Sequence, residues 1–169
     1  MPSASKKESV VKASRALSFV LLPLLVAASS PERAYWLVGT WSCESLAHTK
    51  THMAFTREQD GMSMQNRYRT ADGVSGEYDE TYKYDSQASR WTWETTESSS
   101  GSKEEGTAGP WLTGKWTFDG TRRYENVPAQ HIQMIYSRID NASFRREFGI
   151  SHAGAWMTTS SSVCKRTSS

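Results

Sequence analysis

The chain has 169 residues, with 20 Lys and Arg against 18 Asp and Glu, and it holds 7 Trp, 7 Tyr and 5 Phe but only 2 Cys. Charge so close to balance, with four of the basic residues gathered before Ala16, argues against the clustered basic face that a nucleic-acid partner requires. No apolar run approaches the roughly 20 residues of a membrane-spanning helix.

The first segment carries Lys6, Lys7, Lys12 and Arg15 and then an uncharged apolar run over residues 16–28, the order of a secretory signal. Val26 and Ala28 occupy the small-residue positions before a cut. Residues 1–28 are therefore expected to be removed near Ala28, which leaves an exported, periplasmic or extracellular product that is not an integral membrane protein. A retained anchor helix is the alternative, and the shortness of the run together with Pro23 weighs against it. After removal, 16 basic and 17 acidic residues remain, so the basic character of the whole chain belongs to its targeting segment.

Residues 29–37 read as a short lead, in which Pro31 can open a helical turn reaching Leu37. Residues 38–166 read as one all-β domain and residues 167–169 as a tail. Ten strands are expected at 38–46, 53–58, 62–70, 76–85, 90–97, 112–118, 121–126, 131–139, 143–151 and 155–166, each rich in aromatic or β-branched residues or alternating in polarity. Asp60-Gly61, Asp72-Gly73, Asp119-Gly120, Asp140-Asn141 and Ala153-Gly154 are expected to supply the positive φ angles of tight hairpins. Residues 98–110, dominated by Ser, Gly and Glu, are expected to form a mobile loop. Ten consecutive antiparallel strands twist and curl, and closing them removes the exposed edges, so the fold class is a single antiparallel up-and-down β-barrel.

Gly39-Thr40-Trp41 follows the helical turn on the first strand and resembles the opening motif of the calycin superfamily, the lipocalin-like barrels. The resemblance implies that Gly39 permits a close approach, that Trp41 plugs the narrow end, and that a basic residue of the last strand, Lys165 or Arg166, covers the indole. It extends over the β domain as architecture but only over its two ends as motif. The chain resembles the simpler exported bacterial lipocalin-like proteins of unknown function, with a distant similarity to nitrobindin-type barrels. Nitrobindin-like haem binding uses a histidine on the final strand, and residues 155–166 have none. No cofactor is expected.

Cys43 lies in the first strand and Cys164 in the last, which are neighbours in a closed meander, and an oxidising compartment would join them. Two buried thiols or a redox site are the alternatives, and no Cys-x-x-Cys spacing supports the latter. His48 and His52 have the four-residue spacing of a helical zinc site, but they bracket a hairpin and are expected to face solvent, so no metal is expected. No Gly-x-Ser-x-Gly, P-loop or His-Glu-x-x-His occurs, and no catalytic residue is assigned. The serine run at 160–162 is expected to be a polar outer face.

Alternation collects large side chains on one face: Met64 and Tyr68, Tyr78, Tyr82 and Tyr84, Trp91 and Trp93, Trp116 and Phe118, Phe144 and Phe148. That face should point inward and carries Asn66, Glu80 and Arg146 with it. The expectation is a small hydrophobic or aromatic ligand held in a cavity whose candidate lining is Asn66, Tyr68, Glu80, Tyr82, Tyr84, Trp91, Trp93, Trp116, Phe144, Arg146 and Phe148. The alternative is a filled barrel, with Glu80 and Arg146 satisfying each other, that serves as a cell-envelope interaction domain through its outer surface.

Overall fold

A computed structural model describes residues 31–97, 101–111 and 113–167. The expected signal segment 1–28 and its cleavage point, and residues 98–100, 112 and 168–169 of the expected loop, sixth strand and tail, lie outside the described residues.

A 3-10 helix, Pro31–Leu37, leads into ten strands: β1 (Gly39–Ser45), β2 (Lys50–Glu58), β3 (Gly61–Arg69), β4 (Ser75–Asp85), β5 (Arg90–Glu97), β6 (Lys103–Ala108), β7 (Lys115–Arg123), β8 (Gln130–Arg138), β9 (Ser143–His152) and β10 (Ala155–Arg166). Each strand pairs antiparallel with its neighbours in sequence, and β1 pairs with β10 to close the barrel. The fold is the expected up-and-down barrel of ten strands.

Two local expectations are corrected. Residues 98–110 are not a loop throughout, because Lys103–Ala108 forms β6 between β5 and β7. The strands expected at 112–118 and 121–126 are a single strand, β7, with Asp119-Gly120 in its middle and no turn there. Gly120 sits directly opposite Gly106, and a Cβ on it would lie 2.1 Å from the Glu105 carbonyl oxygen and 2.7 Å from the Gly106 Cα. A Cβ on Gly106 would lie 3.1 Å from Trp93 Cε3. Gly106 leaves room for the indole and Gly120 lets β7 lie close against β6, and neither marks a reversal. Positive φ does occur at Gly73, Ala153 and Gly154, but also at His48, Ser89, Thr113 and Asn126, and at neither Asp60-Gly61 nor Asp140-Asn141.

The strand order puts one end of the barrel at the 3-10 helix and the other at the β1–β2, β3–β4, β5–β6, β7–β8 and β9–β10 connections. The helix end is closed by packing. Trp36 meets Trp41, Trp111 and Phe144 edge-on at 5.3, 5.4 and 5.9 Å, and the Trp41 indole N–H donates to the Leu37 carbonyl at 2.7 Å. Of the two basic candidates, Arg166 covers Trp41, with its guanidinium carbon 4.2 Å from the ring centre. The same guanidinium donates to the carbonyls of Val38 (2.8 Å) and Trp36 (2.5 Å). Gly39 has φ 126° and would place a Cβ 2.6 Å from Arg166 Nη1, so a side chain there would displace the cation from its seat.

Cys43 and Cys164 are register partners across the β1–β10 seam and form a disulfide inside the barrel. Beyond this plug, Trp91, Trp93, Trp116, Tyr82, Tyr136, Phe118 and Phe144 are all fully buried and in mutual ring contact. Flat rings in tilted and edge-to-face pairs do most of the filling, with Leu37 and Ile132 the fully buried branched aliphatics among the described residues.

Candidate ligand site at the open end

Moving along the inward positions toward the open end, the side chains change from aromatic to polar. β2 carries Thr51 after Phe55 and Met53, β3 carries Asn66 after Met62 and Met64, and β5 carries Thr95 after Trp91 and Trp93. Parity forces this sharing of one face, since every second residue of a strand points the same way. A space of about 540 Å³ opens above the aromatic core, lined by Ser45, Thr49, Thr51, Met53, Asn66, Tyr68, Tyr78, Arg146, Phe148 and residues 158–162. A second space of about 240 Å³ adjoins it and shares Tyr78, Arg146, Phe148, Thr159 and Ser160. Its remaining wall is Glu80, Thr95, Glu104 and Arg122, one row of register partners across β4, β5, β6 and β7.

Arg146 and Glu80 organise the floor. Glu80 accepts from Arg146 Nη2 on one oxygen and from the Tyr82 hydroxyl on the other, and the Tyr82 and Tyr136 hydroxyls are 2.6 Å apart. Arg146 Nη1 donates to the Tyr78 hydroxyl at 2.9 Å, which also accepts from Asn66 Nδ2 at 2.5 Å. Burial opposes the Arg146 charge, yet Glu80 and the surrounding phenols outweigh it and hold the guanidinium well above its ordinary pKa. Burial, reinforced by Glu80, pushes the Tyr82 phenol far up, and burial likewise raises Tyr136 and Tyr78, so all three remain neutral donors. Beside them Arg122 pairs with Glu104 at 2.5 Å and lies over the Phe148 ring at 4.7 Å. Burial raises the Glu104 pKa above 4.5 while Arg122 works to lower it.

This network leaves polar atoms over. Asn66 Oδ1, Thr95 Oγ1 and Arg146 Nε are buried with no hydrogen-bond partner in the protein, and Asn66 and Thr95 are 1 % and 5 % exposed. A buried amide or hydroxyl without a partner costs about 1–3 kcal/mol; the Trp36 and Trp93 indole N–H groups are also buried without a partner, but they line neither space.

The structure divides the candidate residues into two groups. Asn66, Tyr68, Arg146 and Phe148 line the larger space, and Glu80 joins Arg146 and Phe148 in the smaller one. Tyr82, Trp91, Trp93, Trp116 and Phe144 line neither and belong to the packed core, while Tyr84 is half-buried against Trp91 at 5.3 Å. Among the wall residues absent from the candidates are Tyr78, Thr51, Met53, Thr95, Glu104 and Arg122. Glu104 fell in the stretch read as a loop. The serine run is corrected in part: Ser160 and Ser162 pair with Phe148 and Arg146 and line the cavity with them, whereas Ser161 pairs with Glu147 on the opposite parity, in keeping with the expected outer face. Counting back in twos from Cys164 was the signal that could have found Ser160 and Ser162. His48 and His52 lie on the outside of the β1–β2 hairpin, where His48 Nδ1 is 3.4 Å from Glu44. No protein-family model matches the chain, and no curated protein matches it either.

Proposed function

We propose that this is an exported, calycin-type binding barrel that holds one small amphipathic molecule in the cup at its open end. The observation that carries the reading is the pair of buried, unpartnered atoms, Asn66 Oδ1 and Arg146 Nε, in the wall of a space of about 540 Å³. Ligand sites typically occupy about 300–1,000 Å³ and combine apolar walls with a few convergent polar groups. Tyr68, Tyr78, Phe148 and Met53 supply the apolar part here. The polar end would enter first, against Asn66 and Arg146, and the apolar end would point toward the mouth. The calycin likeness is supported by Gly39-Thr40-Trp41 with Arg166 seated on the indole, and export by the Cys43–Cys164 disulfide.

A second reading, an envelope-interaction domain without a ligand, draws on a different observation. Leu46, Val74, Tyr124, Val127, Trp156 and Met157 are exposed around the open end. The two are separated by calorimetric titration with a set of eight-carbon amphiphiles differing in head group. Saturable binding of at least one, lost in Ser160→Phe at unchanged melting temperature, is the expected result, because Ser160 borders both spaces. No saturable binding by any member would leave the interaction reading in its place.

A further inference from the structure

Resting on the cup reading, we infer that the head group it takes is neutral and hydroxyl-bearing, that of a sugar or polyol, rather than a carboxylate or an ammonium. The charges in the wall cancel in place. Glu80 is paired with Arg146 and Glu104 with Arg122, and both oxygens of Glu80 are already engaged. A carboxylate entering would sit beside two ionisable acids whose counter-cations are taken. An ammonium would meet two engaged guanidiniums. Either ion would lose its water without gaining a free counter-charge, and an uncompensated charge is the costliest group to bury.

The atoms still to be satisfied are of both kinds. Asn66 Oδ1 accepts, Arg146 Nε donates, and Thr95 Oγ1 does either. The Tyr78 hydroxyl accepts from both Arg146 and Asn66, so its own proton is left to donate. A hydroxyl both donates and accepts, and it satisfies Asn66 with the amide in either orientation. One hydroxyl cannot serve Asn66 and Thr95 together, because they line separate spaces on either side of Arg146 and Tyr78. A head group bearing several hydroxyls can serve both, and the Ser160 and Ser162 side chains on the facing wall extend the same chemistry. Phe148 and Tyr68 offer ring surface to the carbon face of such a head.

The test holds the tail constant and varies the head. Octyl β-glucoside, octanoate and octyltrimethylammonium are titrated into the disulfide-bonded barrel below their micellar concentrations and followed by calorimetry. The glucoside is expected to bind saturably and at least tenfold more tightly than either ion. Asn66→Leu and Thr95→Val are each expected to weaken the glucoside about tenfold, with little effect on whatever weak binding octanoate shows. Octanoate or the ammonium binding as tightly as the glucoside would overturn the head-group inference and leave the cup standing. Binding by none of the three would overturn both. Should Asn66→Leu fail to fold, Thr95→Val with the head-group comparison on the unaltered protein decides the matter.

Discussion

The seam between the first and last strands is where covalent closure acts. β1 and β10 pair only from Trp41–Arg166 to Ser45–Ser162, and the disulfide joins Cys43 to Cys164 in the middle of that stretch, 121 residues apart in sequence. In the chain-entropy description, closing a loop of that length removes about 16 cal/mol/K from the unfolded chain, or about 5 kcal/mol at 25 °C. Reduction without substitution isolates this effect, since both sulfurs stay in place and no cavity is cut. With a urea slope of about 2 kcal/mol/M, the unfolding midpoint should fall by about 2 M or more on reduction. Because both cysteines are buried, the protein is reduced in urea, refolded under reductant, checked by intact mass and unfolded again with Trp fluorescence as the signal. Coincident midpoints for the oxidised and reduced forms would refute the reasoning, showing that the unfolded chain is already too compact for the crosslink to constrain.

Trp93→Ala should cost about 3–5 kcal/mol in the same assay, because the indole is buried and borders neither open space; a loss below 1 kcal/mol would mean that the core re-collapses around the gap. Gly120→Ala should destabilise by about 1–3 kcal/mol or more as its methyl meets the Glu105 carbonyl, and a melt like the parent's would contradict the tight β6–β7 approach. Glu104 has a folded-state pKa above 4.5, so the folded protein holds its proton to higher pH than the unfolded chain does. Measured against Glu104→Gln, stability should be greatest below about pH 4.5 and should decline as pH rises through the raised value; a rising or flat difference would reverse the sign. If the leading segment is a signal, intact-mass analysis of exported material should place the N-terminus between Ser29 and Pro31, and a start at Met1 or Pro2 would exclude cleavage.

Much of the barrel was legible because an up-and-down meander is a local code. Alternation names the inward face strand by strand, and sequential pairing needs no long-range information. The β1–β10 contact followed from closure, and with it the Cys43–Cys164 disulfide. Reading failed at β6 and β7 because a glycine that lets two strands approach closely has the same letter as a glycine in a turn. Gly120 follows an aspartate, as turn glycines often do, and only the tertiary structure shows the close approach of β7 to the Glu105 carbonyl and the Gly106 Cα that requires it. β6 itself, with the sequence Lys-Glu-Glu-Gly-Thr-Ala, has no strand propensity to announce it and is held by its neighbours on both sides.

The sequence by itself determined the fold class, much of the inward face and the two sulfurs at the seam, since these rest on period and order along the chain; the count of ten agreed only because the missed β6 offset the division of β7 into two. Where the filled part of that face ends and the open part begins was decided only in three dimensions. Trp93 and Asn66 share the inward parity, yet the one is packed in the core and the other holds an unpartnered oxygen at the wall of the cup. The difference is height along a tilted, staggered barrel, which depends on the register of all ten strands together. Likewise Glu104, Arg122, Thr95 and Glu80 are scattered over more than forty positions of sequence and become a single row only because β4 to β7 pair in that register.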